Sequence, residues 1–147
     1  MHFSLIDRVL ARDDTTLTAI KHVSAAEEYL QDHFPTYPVL PGVLMLEAMV
    51  QAARELAGNP FPPLVLGKVA ALKYGAMVRP GDSIVIEVKC ADRSAPEPIF
   101  RGEVRLMSPG QTPGDPDLAR AASGKITLRQ AQTDRGGSAL RTVACDA

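Results

Sequence analysis

The chain has 147 residues, with 16 basic and 17 acidic side chains and a formal net charge of −1. That balance excludes a general nucleic-acid binder, which needs a basic surface. Hydrophobic residues make up 46% of the chain and charged residues 22%, the composition of a folded soluble domain rather than of a disordered chain. The sequence contains no long apolar run, so no membrane span is predicted. The two cysteines and an N-terminus unlike a secretory signal favour a cytoplasmic location.

The pattern of apolar and turn residues predicts two strands, one long helix and then four further strands. In chain order the predicted elements are strands Ile6–Leu10 and Thr15–Val23, a short helix Ala25–Leu30, the helix Gly42–Leu56, and strands Leu64–Tyr74, Ser83–Cys90, Ile99–Met107 and Ala119–Leu128. Pro80 and Gly81 predict a tight turn at Arg79–Asp82, and Ser108–Asp117 is predicted to be an exposed loop.

The helix Gly42–Leu56 is the most distinctive element. Between Val43 and Val50 it is apolar on every face apart from Glu47, which predicts a helix buried on all sides. An antiparallel sheet curled around this one helix is the simplest way to cover it, so we predict an α+β fold. Its edge strands would be free to pair with a second copy of the chain.

Glu47 is the first candidate for chemistry. A carboxylate among Val, Leu and Met side chains is costly to bury unless it is paired or protonated. Gln51, one helical turn further on, is placed to hydrogen-bond to it. Glu47 is therefore either a general acid that burial keeps protonated, or a structural carboxyl held by Gln51 or by a partner chain.

His33 and the start of the helix are the other candidates. Three prolines within Pro35–Pro41 stiffen the loop between them, which suits a histidine held as a general base; a structural histidine is the alternative. The free N–H groups of Gly42 and Val43 would lie at the positive end of the helix dipole, where a carbonyl oxygen could gain negative charge. The sequence has no metal-binding or phosphate-binding motif, so we expect no metal and no cofactor.

Taken together, these residues resemble the signature of a known enzyme family. The segments His33-Phe34-Pro35, Pro41-Gly42-Val43-Leu44 and Leu46-Glu47-Ala48-Met49, followed by Gln51, are similar to those of the (3R)-hydroxyacyl-acyl carrier protein dehydratases of the FabZ type, in the hotdog superfamily. The resemblance extends over about residues 3–128. It implies an antiparallel sheet wrapped around one long central helix, in a hotdog domain of residues 1–130 followed by a polar tail, 131–147.

The resemblance implies a role for each candidate residue. His33 would remove the proton alpha to the thioester carbonyl, and Glu47, oriented by Gln51, would protonate the departing hydroxyl. The N–H groups of Gly42 and Val43 would polarise the thioester carbonyl. The implied reaction converts a (3R)-3-hydroxyacyl thioester to the trans-2-enoyl thioester and water, in fatty acid or related lipid biosynthesis, without a cofactor.

The implied partners are an acyl carrier protein, which carries the substrate on phosphopantetheine, and a second copy of the chain. In the family the histidine and the acid of one site come from different protomers, so we expect a homodimer with shared active sites, with a trimer of dimers as the larger assembly. Two alternatives stay open: a hotdog acyl thioesterase, which also carries a carboxylate on its central helix, and a non-catalytic acyl-thioester-binding hotdog protein.

Three features depart from the family pattern. Asp32 stands where the family usually has glycine before the histidine, and Val65 stands where members often have an aromatic gate residue. The loop Ser108–Asp117 is longer than usual. These departures bear on substrate gating and acyl chain length rather than on the reaction.

Overall fold

The computed structural model describes residues 3–92 and 95–132. In chain order its elements are strand β1 (Arg8–Arg12), strand β2 (Thr16–His22), a 3₁₀ turn (Glu28–Leu30), helix α1 (Gly42–Leu56), and strands β3 (Leu64–Tyr74), β4 (Ser83–Asp92), β5 (Ile99–Met107) and β6 (Ala119–Gln130). The strands form one antiparallel sheet in the order β1-β2-β4-β5-β6-β3. The predicted polar tail is 131–147, and all of it beyond residue 132 lies outside the described residues.

The predicted elements are confirmed, with a shift at the first strand. Helix α1 and strands β3 and β5 have the predicted bounds. Strand β1 begins at Arg8 rather than at Ile6. The N–H of Asp7 still donates to the carbonyl oxygen of Ile20 on β2, but the chain before it turns towards the helix. The N–H of Leu5 donates to the side chain of Gln51 on α1 instead of to a neighbouring strand. The predicted short helix is reduced to the 3₁₀ turn Glu28–Leu30.

Helix α1 packs across one face of the sheet. Its buried residues are Met45, Ala48, Met49, Val50, Ala52 and Ala53. Met49 can approach the sheet closely because Gly102 on β5 has no side chain: a Cβ atom there would meet the sulfur of Met49. Small residues at this contact let the helix and the sheet form one core. At 15 residues α1 is too short to cross a bilayer, and residues 3–92 and 95–132 contain no other helix that could do so.

The prediction that α1 is buried on all sides is wrong for the single chain. Val43 is 67% exposed, and Leu44, Leu46 and Glu47 are each only partly buried. These residues lie on the side of the helix away from the sheet, which the described elements cover only in part. Among the described residues, Val43 on this outer face is largely uncovered, while Leu44 and Leu46 pack against the core only in part.

Candidate active site

Glu47 and Gln51 lie one turn apart on the outer face of α1. The Nε2 of Gln51 donates to Oε1 of Glu47 at 3.1 Å and to the carbonyl oxygen of Phe3 at 3.1 Å. Its Oε1 accepts the N–H of Leu5 at 2.8 Å. The predicted hydrogen bond between Gln51 and Glu47 is therefore confirmed. The two backbone partners from the N-terminal segment were not predicted.

Those backbone partners determine which way the Gln51 amide points. A backbone N–H can only donate and a carbonyl oxygen can only accept, so Leu5 and Phe3 together allow one orientation of the amide. In that orientation Gln51 presents its NH₂ group to Glu47. Oε1 of Glu47 is consequently an acceptor, and Oε2 is the oxygen to which Gln51 does not donate.

The start of α1 offers two free backbone donors. The first N–H with an acceptor belongs to Leu44, which donates to the carbonyl oxygen of Pro41 at 2.9 Å. Within the described residues, the N–H groups of Gly42 and Val43 donate to no acceptor, as expected for the first turn of a helix. They lie at the positive end of the helix dipole, one turn before Glu47 on the same element.

The loop that carries His33 is held in a defined conformation. The rings of His33 and Phe34 are in contact, with centroids 4.5 Å apart. Phe34 has a φ of +57°, and its carbonyl oxygen accepts the N–H of Tyr37 at 2.8 Å. Further on, the N–H of Leu40 donates to the carbonyl oxygen of Val78 at 2.8 Å. The loop is thus attached to the segment between β3 and β4 before it enters α1.

Four of the five candidate residues lie on one element. Glu47, Gln51, Gly42 and Val43 share α1, whereas His33 has neither a hydrogen bond nor an ion pair to Glu47 in the part of the chain that the structure describes. Residues 3–92 and 95–132 also contain no cluster of His, Cys, Asp and Glu side chains that could hold a metal ion.

The N-terminal segment that holds Gln51 is itself held by charged groups. Nζ of Lys21 donates to Glu27 at 2.8 Å and to Asp7 at 3.3 Å. Burial by itself would lower the pKa of Lys21, but the hydrogen bond to Glu27 and the charge of Asp7 outweigh it and raise that pKa above its ordinary value. Burial, together with the same two carboxylates, raises the pKa of Tyr29 to about 12. The ring of Tyr29 packs edge-on against Phe3 at 5.6 Å.

Sequence reasoning missed Phe3, Leu5 and one further residue, Tyr74. The ring of Tyr74 lies against Gly42, at the first turn of α1. Phe3 and Leu5 are 48 and 46 residues away from Gln51 along the chain, so no local pattern connects them to it. Tyr74 is the last residue of β3. From the sequence, the face of a strand residue can be inferred only from the alternation of side chains between the two faces of the sheet, and in β3 that alternation is interrupted.

Comparison with known proteins identifies a family. The family model of the ApeI-like proteins, described as ApeI dehydratase, matches residues 10–109. The chain is 41% identical over 110 residues to the 3-hydroxyacyl-[acyl-carrier-protein] dehydratase FabZ of Lactococcus lactis subsp. cremoris, covering 71% of this chain and 75% of that one. It is 43% identical over 113 residues to the FabZ of a Shewanella species, covering 71% and 73%.

Solved structures agree on the fold. The dehydratase heterocomplex ApeI:P from Xenorhabdus doucetiae matches with a TM-score of 0.62 at 19% identity, covering 86% of this chain and 98% of that one. The protein smu.793 of Streptococcus mutans, solved with acetyl CoA, matches with a TM-score of 0.64 at 11% identity, covering 89% and 92%. The predicted hotdog fold is confirmed. The family model and the relatives above show that the chain belongs to the ApeI-like and FabZ-type dehydratases.

Proposed function

We propose that the substrate is a (3R)-3-hydroxyacyl thioester carried by an acyl carrier protein, and that the chain converts it to the trans-2-enoyl thioester and water. The observation that carries the proposal is the orientation of the Gln51 amide. Because Leu5 and Phe3 hold it so that it donates to Oε1 of Glu47, Oε2 is the oxygen of Glu47 left free to deliver a proton. A dehydratase needs such a placed acid, since hydroxide is a poor leaving group without one.

In this mechanism the elimination uses one base and one acid. The imidazole of His33 takes the proton from the carbon alpha to the thioester carbonyl, and the electron pair of that C–H bond forms the new double bond. The C–O bond at the beta carbon breaks, and its electron pair leaves with the hydroxyl oxygen. That oxygen takes the proton from Oε2 of Glu47 and departs as water. A proton then returns from the imidazolium to Glu47 through solvent, which restores both groups.

The helix start stabilises the charge that develops between these two steps. Removing the alpha proton places negative charge on the thioester oxygen, which then has enolate character. The N–H groups of Gly42 and Val43 have no other acceptor among the described residues and lie at the positive end of α1. Hydrogen-bond donors that are already oriented before the charge appears stabilise the transition state most, because they need not reorganise during the reaction.

The proposal places each site between two protomers. Within the described part of the chain, His33 and Glu47 share no hydrogen bond or ion pair. The outer face of α1 beside Glu47 is apolar and open, with Val43 67% exposed. A second copy of the chain that covers this face could bring its own His33 to Glu47. The apolar residues of the two helices would then enclose the acyl chain in a cytoplasmic homodimer.

The first experiment tests the two proton-transfer residues. His33→Ala and Glu47→Gln should each reduce hydration of crotonyl thioester by at least about a hundredfold and leave the oligomeric state unchanged. The matched controls are His22→Ala, whose ring hydrogen-bonds only to Ser83 among the described residues, and Glu55→Gln on the same helix. A near wild-type rate in either site variant contradicts the proposal.

A mixing experiment tests whether the site is shared. If His33 of one protomer works with Glu47 of the other, a mixed dimer of the two inactive variants has one intact site and one doubly damaged site. Half of the dimers in a refolded equal mixture are mixed, so about a quarter of the wild-type activity should return. No recovery would mean that both residues of a site belong to one chain.

Product analysis separates the proposal from its alternatives. A dehydratase gives a conjugated enoyl thioester, which is visible by its ultraviolet absorbance, and releases no thiol. A thioesterase releases free thiol, and a binding protein gives neither product. Parallel assays on the carrier-protein and coenzyme A thioesters identify which carrier the chain prefers.

A further inference from the structure

The ring of Tyr74 lies directly on the first residue of α1. A Cβ atom built on Gly42 would lie 2.8 Å from Cε1 and 2.9 Å from Cζ of that ring. These distances are shorter than any normal carbon contact, so the ring occupies the place where a side chain of residue 42 would be. Tyr74 is 51% exposed, which means that its position is not explained by burial in the core.

A bulge in β3 precedes Tyr74. Ala70 pairs with Lys125 and Lys73 pairs with Ser123. Two residues of β3 therefore lie opposite the single residue Gly124 of β6. The extra residue reverses the alternation of side chains along the rest of the strand.

The bulge is what turns Tyr74 towards the helix. Tyr74 pairs with Ala122, which is fully buried in the core, so both side chains are on the helix side of the sheet. Without the extra residue, Tyr74 would share the face of Ala70, which is exposed to solvent. The bulge includes Ala71 at a φ of +52°, a left-handed conformation that few residues other than glycine adopt.

The backbone after Tyr74 is attached to β6. The N–H of Gly75 donates to the carbonyl oxygen of Ala121 and the N–H of Ala76 donates to that of Arg120, both at 2.9 Å. Gly75 also lies so close to β6 that a Cβ atom would meet the carbonyl oxygen of Arg120. These contacts leave the Tyr74 backbone little freedom to move away from Gly42.

We infer that Tyr74 is a positioning residue, whose ring determines where the Gly42 N–H lies relative to the thioester carbonyl. The inference rests on the proposed role of that N–H. Tyr74 acts through Gly42 and not on the substrate. The nearest atoms are ring carbons rather than the hydroxyl, so a phenylalanine ring should serve equally well.

The first test compares substitutions of Tyr74 by kcat and KM for hydration of crotonyl thioester. Tyr74→Phe should stay within about twofold of wild type. Tyr74→Ala should lower kcat by about 10- to 100-fold, the cost of misplacing a reacting group by a fraction of an ångström to 1 Å. KM should change by less than about threefold, because the N–H matters most once the oxygen carries charge. Tyr74→Leu, which keeps apolar bulk, should resemble Tyr74→Ala and replaces it if that variant folds poorly.

The second test combines Gly42→Ala with Tyr74→Ala. In the wild-type background the new methyl group meets the ring, so Gly42→Ala should lower both kcat and the midpoint of thermal unfolding. In the Tyr74→Ala background the ring is gone, and adding Gly42→Ala should cost little further activity or stability. Gly114→Ala is the matched control, because a Cβ atom at Gly114 has no neighbour within 4 Å.

The outcomes separate this inference from the proposed function. If the wild-type chain is active and Tyr74→Phe lowers kcat as much as Tyr74→Ala does, the positioning role of the ring is overturned. Equal losses from Gly42→Ala with and without the ring also overturn it. If the wild-type chain has no hydratase activity, the proposed function is overturned instead. The unfolding midpoints of Gly42→Ala with and without Tyr74→Ala then still show whether the ring contacts residue 42.

Discussion

Replacing Gln51 separates the stabilising role of its amide from its role beside Glu47. Gln51→Leu removes all three hydrogen bonds of the side chain and keeps its apolar length. Gln51→Glu keeps an acceptor for the N–H of Leu5 but places a second carboxylate oxygen beside Oε1 of Glu47. We expect the first variant to lose both stability and activity and the second to lose mainly activity.

The expected loss of stability follows from which partners can be hydrated again. Leu5 is 1% exposed, so its N–H stays buried without an acceptor in Gln51→Leu, at a cost of about 1–3 kcal/mol. Phe3 and Glu47 are each partly exposed, and water can replace the bond that each of them loses. We therefore expect about 2 kcal/mol in total, which lowers the unfolding midpoint by about 4–8 °C for a domain of this size.

The expected loss of activity follows from the orientation of Glu47. Without the Gln51 donor, neither oxygen of Glu47 is distinguished from the other, and nothing keeps Oε2 as the oxygen that delivers the proton. We expect kcat to fall by about 10- to 100-fold in both variants.

The measurements are thermal unfolding, urea unfolding and initial rates of crotonyl thioester hydration. Gln132→Leu, an exchange of the same residue type at an exposed position, is the matched control and should match wild type in all three. An unchanged unfolding midpoint in Gln51→Leu would refute the structural argument. Full activity in Gln51→Glu would refute the argument that Gln51 directs the proton of Glu47.

Two further predictions concern the scaffold. Gly102→Ala should destabilise the fold by about 1–3 kcal/mol in urea unfolding, because its methyl group meets the sulfur of Met49 and overpacks the core; an unchanged midpoint would contradict this packing. Lys21→Met should cost about 1.5–3 kcal/mol at neutral pH through the lost bonds to Asp7 and Glu27. Folding raises the pKa of Lys21 above its ordinary value of 10.5. The difference in free energy of unfolding between wild type and Lys21→Met should therefore be fully present below that pH and should shrink as the pH rises beyond it. A difference that grows with pH would contradict the assignment.

The parts of the fold that local sequence determines were predicted closely. Helix α1 has its predicted bounds because strong helix formers lie between Pro41 and Gly58, and Gly58 takes the left-handed conformation that ends the helix, with φ +79°. The predicted turn at Arg79–Asp82 forms, with Gly81 at φ +98°. The contact of Gln51 with Glu47 follows directly from their spacing of one helical turn.

The site could be predicted only where its residues share one element. Glu47, Gln51 and Gly42 belong to α1, so their relative positions follow from helix geometry. How His33 lies relative to Glu47 depends on the path of a loop and, in the proposed function, on a second protomer. The exposure of Val43 was also predicted wrongly, because helical periodicity reports that a face is apolar without reporting what covers it.

The sequence by itself determined the helix, the strands, the turn chemistry and the residue types of the dehydratase signature, since each depends on neighbours a few positions away. Only the tertiary structure decided that Leu5 and Phe3 orient Gln51, and that a bulge turns Tyr74 onto Gly42. These contacts join segments that are far apart in the chain. They depend on strand register and on close packing, in which one extra residue in β3 reverses a whole face and one missing Cβ atom determines what can lie against the helix.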